Sequence, residues 1–176
     1  MRKQNIYSVV FALTLVLVVL AAREQVLGKD YQREALRGIQ SVKVFITTSG
    51  EDHTLESQIK TGVELKLRLA GIDVVPEEDT VRRTQSFLDV LITWTKLDDD
   101  HHLIFSVDLE LMTFAHLPHD TSCALHNVII WNNSYFAITP SKRKFRQDAR
   151  LQAKDLTDQF INDYLAANPK KKDNEP

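Results

Sequence analysis

Apolar and polar positions follow several rhythms along this chain, and the first apolar run has no polar interruption strong enough to set one. Ile6 to Ala22 contains Val9, Val10, Phe11, Leu13, Leu15, Val16, Leu17, Val18, Val19 and Leu20 without a charge, behind Arg2 and Lys3. A basic start, an uncharged apolar stretch and then small residues form a secretory leader, because the cations stay on the cytoplasmic side while the apolar stretch enters the bilayer as a helix. Val19-Leu20-Ala21 offers one cleavage site and Val26-Leu27-Gly28 a second. The run also lies near the lower limit of about 17 residues for a membrane-spanning helix. Residues 1–28 therefore read either as a cleaved signal peptide or as an uncleaved membrane anchor through residues 6–22. Both readings export the remainder, to the periplasm or the outer face of the cytoplasmic membrane.

After a polar stretch over 29–40 that predicts a linker or short helix, the period changes to two. Val42, Val44 and Ile46 alternate with Lys43, Phe45 and Thr47, the signature of a half-buried strand. Thr48 to Asp52 supplies turn residues, and Asp52 or Thr54 is able to cap a helix. Leu55, Ile59, Val63 and Leu69 or Ala70 then recur at helical spacing, with Gly71 as the left-handed residue that stops it. Ile72 to Val75 predicts a short second strand ended by Pro76. Leu88, Val90, Ile92 and Trp94 alternate with Asp89, Leu91, Thr93 and Thr95, and beyond Asp98-Asp99-Asp100 Leu103, Phe105, Val107, Leu109 and Leu111 alternate with Ile104, Ser106, Asp108, Glu110 and Met112. The two runs predict a long antiparallel hairpin. A loop over Leu117 to Leu125 precedes a strand at Val128 to Trp131, which Tyr135 to Ile138 extends or pairs with.

From about Gln147 to Ala167, Ala149, Ala153, Leu156, Phe160, Ile161, Tyr164 and Leu165 form the stripe of an amphipathic helix, stopped by Asn168-Pro169. Residues 169–176 carry no apolar side chain and read as a disordered tail. The expected fold is α+β: a mixed, mostly antiparallel sheet of order β-α-β-β-β-β-α over residues 41–168, with two helices packed on one face.

Composition narrows the function classes. A chain of 176 residues has room for one ordinary domain, and 26% charged against 43% hydrophobic residues suits a water-soluble globule. The net charge of −2 supplies no field to gather a polyanion, which argues against nucleic acid as a partner. Cys123 is the only cysteine, so no intrachain disulfide forms, and no cysteine follows the apolar run to carry a lipid. The glycines, Gly28, Gly38, Gly50, Gly62 and Gly71, write neither a dinucleotide fingerprint nor a phosphate loop, and no cofactor is expected. There is no Gly-x-Ser-x-Gly elbow, and no Ser-x-x-Lys falls at a predicted helix start.

A resemblance can be stated on particular segments. Leu67-Arg68-Leu69-Ala70-Gly71-Ile72 with its strand, the long hairpin, and Val128-Ile129-Ile130-Trp131 resemble small exported bacterial proteins of uncharacterised function. Their layout is similar to the N-terminal domain of the periplasmic protein TolB. The resemblance implies a role in the cell envelope.

Candidate chemistry gathers in a few places. His116, His119, Cys123 and His126 put three imidazoles and a thiol into one loop, ligand types suited to zinc, although their spacing matches no standard site. Cys123 beside His126 also has the residue types of a nucleophile and base. Asp108 and Glu110 sit two apart on one strand, about 7 Å from each other on one face, a separation compatible with acid and base work on a glycoside. Asp98-Asp99-Asp100-His101-His102 carries cation-binding side chains at a hairpin tip. Lys142, Arg143, Lys144 and Arg146 surround Phe145 in a basic run suited to an anionic surface. Asn132-Asn133-Ser134 has the form of an N-glycosylation acceptor. With the polar residues scattered, the expected function is an exported, non-enzymatic binding module of the envelope whose partner is an envelope protein or polymer. The alternative is a small metal-dependent hydrolase built on the loop from His116 to His126.

Overall fold

In the computed structural model, residues 28–76, 86–97, 102–117 and 120–169 are described, with the side chains of 116–126 left outside that description. The expected leader, the acidic residues Asp98 to Asp100 with His101, and the tail from residue 170 lie outside the described residues. A short helix α1 spans residues 28–35. The chain continues as β1 (Ser41–Thr48), α2 (His53–Leu69), β2 (Asp73–Val74), β3 (Ser86–Lys96), β4 (Leu103–Leu117), β5 (Asp120–Thr139) and α3 (Lys142–Ala167). The strands form one mixed sheet in the order β2-β1-β3-β4-β5, with β1 parallel to β2 and β3, and β3, β4 and β5 antiparallel. This is the α+β arrangement that the periodicities predict.

Local chemistry explains the ends of α2. The Asp52 carboxylate accepts a hydrogen bond from the Leu55 amide at 3.3 Å, satisfying one of the N–H groups that a first helical turn leaves orphaned. At the other end Gly71 takes φ 81°, and its N–H bonds to the Arg68 carbonyl while the Ile72 N–H reaches Leu67. This paired closure needs a residue that tolerates the left-handed region, and glycine does so without a Cβ penalty. The chain is thereby turned straight into β2.

One face of the sheet is covered by α2 and α3. Val42 and Val44 of β1, Leu88, Val90 and Ile92 of β3, Phe105, Val107, Leu109 and Leu111 of β4, and Trp131 of β5 form one buried cluster with Leu55, Ile59, Val63 and Leu67 of α2. From α3, Phe145, Ala149, Ala153, Leu156 and Phe160 join the same cluster. Cross-strand register sets its layers, since Val44 pairs with Leu88, Leu88 with Leu111 and Leu111 with Trp131. The side chains of that row therefore share the covered face. Tyr164 donates its hydroxyl to the Ile39 carbonyl at 2.7 Å, and Asn168 bonds both Gly38 N–H and the Leu36 carbonyl. The segment between α1 and β1 is thus pinned to the end of α3.

The structure revises two expectations and, between them, decides one that had two alternatives. The residues read as a loop from Leu117 to Leu125 mostly continue the ladder: His116 pairs with Ala124 and Leu117 with Asp120, so β4 and β5 run on as a long hairpin arm. Val128–Trp131 and Tyr135–Ile138 are parts of one strand, because Asn132-Asn133-Ser134 stays extended and paired with Asp108 to Glu110 of β4. Finally α3 begins at Lys142 rather than Gln147. Ser141 is its cap, accepting from the Lys144 amide at 3.2 Å, and the first turn buries Phe145 beneath it. Leu165, counted in the expected stripe, is 40% exposed. Among the described residues no helix is long and apolar enough to cross a membrane.

Candidate functional site: a carboxamide-lined cleft

Two helices and one strand meet at the end of the sheet where β5 is the edge. Lys29, Gln32 and Arg33 of α1 are spaced three and four apart and share one helical face. Gln159, Asn162 and Asp163 of α3 repeat that spacing. Between them, β5 contributes Trp131, Asn132 and Asn133, and the three elements enclose a cleft of about 610 Å³. That volume lies in the range of roughly 300–1,000 Å³ common for small-ligand sites.

The lining is dominated by side-chain amides that hold one another in place. Gln32 donates to the Asn132 carboxamide oxygen at 2.7 Å, and Asn133 donates to the Gln159 oxygen at 2.6 Å. The Asn133 oxygen accepts from the Ser134 amide at 2.9 Å. An amide group has two donors and an acceptor with two lone pairs, so these contacts fix orientation and still leave hydrogen-bonding capacity facing the cleft. Asp163 closes the back: Oδ1 accepts from the Arg33 guanidinium at 3.1 and 3.2 Å, and Oδ2 from the Trp131 indole at 3.1 Å. Trp131 itself is 2% exposed and packs edge-on against Phe160, so it floors the cleft without offering a ring face. Arg33 and Asp163 offset each other, and Lys29 leaves this lining with one net positive charge.

The uncovered face of the sheet carries a second polar group. Asp89 of β3 stands directly opposite Glu110 of β4, with Asp108 two residues away from Glu110 on the same face. Burial raises the Asp89 pKa above its usual range against the hydrogen bonds from Thr47 and the Val90 amide, and its Oδ1 is buried without a hydrogen-bond partner. Burial also raises Glu110, with the Asp108 and Asp89 charges adding to the effect. Asp108 accepts instead from Ser106 at 2.9 Å. A carboxylate raised in the folded state makes the fold bind more protons than the unfolded chain, so stability falls as pH rises through the raised values. Asp52 and Glu56 are lowered. For Asp52, burial pushes upward but is outweighed by Arg146 and the Leu55 amide; for Glu56, the Thr48 hydroxyl and His53 lower it. Their contribution disappears only on acidification below the usual carboxylate range. Denaturant unfolding is expected to show stability falling as pH rises above the usual carboxylate range and through the raised Asp89 and Glu110 values. The double variant Asp89→Asn/Glu110→Gln should flatten that slope, and an equally steep slope in the variant would contradict the assignment.

The basic residues predicted as a contact surface, Lys142 to Arg146, do not line the cleft. Three of the four basic residues near Ser141 have partners within the chain: Lys142 lies 5.5 Å over the Trp94 ring, Lys144 meets Asp148 at 2.8 Å and Arg146 meets Asp52 at 2.7 Å. Arg143 is exposed. Because α3 starts early, Ser141 and Lys144 do form a Ser-x-x-Lys at a helix start, against expectation. The serine hydroxyl is used as the cap and the lysine ammonium as the partner of Asp148, which leaves no nucleophile and base in contact. His119 lies outside the described residues, as do the side chains of His116, Cys123 and His126. The backbone at 116, 123 and 126 belongs to the extended hairpin arm. Among the described residues, no group of three or more His, Cys, Asp or Glu is placed to hold a metal ion. Asn132 and Asn133, marked in the sequence as a glycosylation pattern, are instead two walls of the cleft. Sequence spacing shows each helical trio separately but does not show that the trios face each other across β5.

No protein-family model matches this chain, and no curated protein does. Solved structures are similar at low identity. The PelC dodecamer of Paraburkholderia phytofirmans is 19% identical over 73% of this chain and 87% of that one, with a TM-score of 0.42. A minor lipoprotein of Acinetobacter baumannii is 11% identical over 73% and 94%, with a TM-score of 0.38. Rare lipoprotein B of Shewanella oneidensis is 14% identical over 71% and 92%, with a TM-score of 0.26. At these TM-scores the likenesses carry no inference about site, ligand or assembly.

Proposed function

We propose that this chain is an exported, non-enzymatic binding module of the cell envelope, and that its cleft takes a neutral, polyhydroxylated ligand such as a glycan segment. The observation that carries the ligand class is the set of five carboxamides, Gln32, Asn132, Asn133, Gln159 and Asn162, around one cleft. A carboxamide presents a donor and an acceptor side by side, the pair that two neighbouring hydroxyls complement. Export is supported by the basic start and uncharged apolar run of the leader. Cell fractionation with N-terminal sequencing tests that part: recovery of the intact chain from the soluble cytoplasm would refute it.

Ligand recognition is tested by titration calorimetry with neutral oligosaccharides, N-acetylglucosamine oligomers being a suitable probe, alongside sulfated analogues of equal length. Saturable binding of the neutral series is expected, weakened by a factor of about ten or more in Asn133→Ala/Gln159→Ala. That loss corresponds to about 1.4 kcal/mol, the scale of one or two hydrogen bonds. Equal binding by the double variant, or a preference for the sulfated series, would refute the reading.

A further inference from the structure

The sheet ends on β5, so one side of that strand has no neighbour in the chain. An edge strand presents unpaired N–H and C=O groups, and soluble proteins ordinarily blunt such edges with lysine, proline, a bulge or a covering element. Here the blunting is partial. The helix α1 reaches the edge at Asn132 through Gln32, and the register is irregular around residue 130. From Ser134 to Thr139 the ladder to β4 is regular, and the sequence Ser-Tyr-Phe-Ala-Ile-Thr holds no charge, glycine or proline. Pro140 ends it. Phe136 is 66% exposed and Ile138 58% exposed, both on the face that the helices leave uncovered. Six uncharged residues at an open edge, with Tyr135, Phe136, Ile138 and Thr139 of high strand propensity, form a template for another strand.

We infer that residues 135–139 of β5 pair antiparallel with the same residues of a second copy, joining two five-stranded sheets across a twofold axis. An uncharged segment meets its own copy without placing like charges opposite each other. A register centred on Ala137 sets Phe136 of each copy against Ile138 of the other. Their exposed side chains then cover one another on the open face while the edge carbonyls and amides are satisfied. The contact is short, which places it at the small, reversible end of protein interfaces. It is independent of the cleft, whose β5 residues lie beyond the paired segment.

Sedimentation equilibrium of the full chain in a non-ionic detergent, over a hundredfold range of concentration, tests this. The wild type is expected to pass reversibly from monomer to dimer. Phe136→Lys and Phe136→Glu should each weaken the dimer at least about tenfold, because each sets a charge against Ile138 of the other copy and a like charge diagonally across the axis. An equimolar mixture of the two variants should restore it. Phe136 is largely exposed, so both variants should keep the far-ultraviolet spectrum and melting temperature of the wild type. A wild type that stays monomeric throughout would overturn the proposal, whether or not the edge accepts an unrelated peptide. So would a dimer indifferent to both charges, since its interface would lie elsewhere.

Discussion

Replacing Trp131 with alanine is expected to cost about 3–5 kcal/mol of unfolding free energy, the range for deleting a large buried aromatic side chain. The indole is 2% exposed, closes the row Val44–Leu88–Leu111–Trp131 and meets Phe160 edge-on with ring centroids 5.2 Å apart. Removing it opens a cavity at the end of the core, where α3 and the sheet are both held and cannot collapse fully. A loss of that size is a large part of the roughly 5–15 kcal/mol that stabilises an ordinary domain. Trp131→Phe should recover more than half of the loss, since it restores apolar volume but not the indole N–H. Urea unfolding followed by circular dichroism measures both. A cost below about 1 kcal/mol for the alanine variant would show that the row is not packed as described.

The second large effect is expected at Asp163. This carboxylate receives the Trp131 indole N–H on one oxygen and the Arg33 guanidinium on the other. Its value does not come mainly from the ion pair, because the Arg33 and Asp163 side chains are 46% and 27% exposed and such pairs contribute little. It comes from the buried indole, whose donor would lose its partner. Asp163→Ala should therefore cost about 2–3 kcal/mol: roughly 1–3 for the orphaned donor, with a smaller part from loosening α1. Asp163→Asn, which keeps an acceptor, should cost about 1 kcal/mol. Hydrogen exchange should show faster exchange in residues 29–36 of the alanine variant, ahead of the sheet. Protection unchanged in α1 would mean that Leu36 and the Asn168 contacts anchor that segment without Asp163.

Both variants act on the wall of the cleft, which ties stability to the proposed recognition. The ligand groups are held by elements far apart in the chain: α1 before the first strand, β5 as the last strand, and α3 after it. Loss of any one is expected to disorganise the other two walls. This is why the binding test relies on Asn133 and Gln159, whose removal spares the Trp131 and Asp163 contacts.

Much of the architecture was legible because the period of burial is a local property. Alternation in β1, β3 and β4 and the four-residue spacing in α2 hold whatever packs above them, and Gly71 marks its turn by a backbone requirement. The misreadings share a cause. Residues 116–126 are polar and contain Pro118, yet pairing across the hairpin keeps most of their backbone extended. Asn132-Asn133-Ser134 lacks strand propensity, yet β4 supplies the ladder and α1 and α3 supply amide partners. Lys142 to Arg146 precedes the apolar stripe that predicts the last helix, yet Phe145 buries its side chain and the flanking cations find Trp94, Asp148 and Asp52, so the helix starts a turn earlier.

What the amino-acid order determined alone is which segments become strands and helices, and which face of each turns inward, since period and capping depend on neighbours a few residues away. Which polar groups meet was decided by the tertiary fold. The amides of the cleft that bond one another come from positions 100 residues apart, Gln32 and Asn132, and 26 apart, Asn133 and Gln159, and only the placement of β5 at the sheet's edge between α1 and α3 brings them within hydrogen-bonding distance.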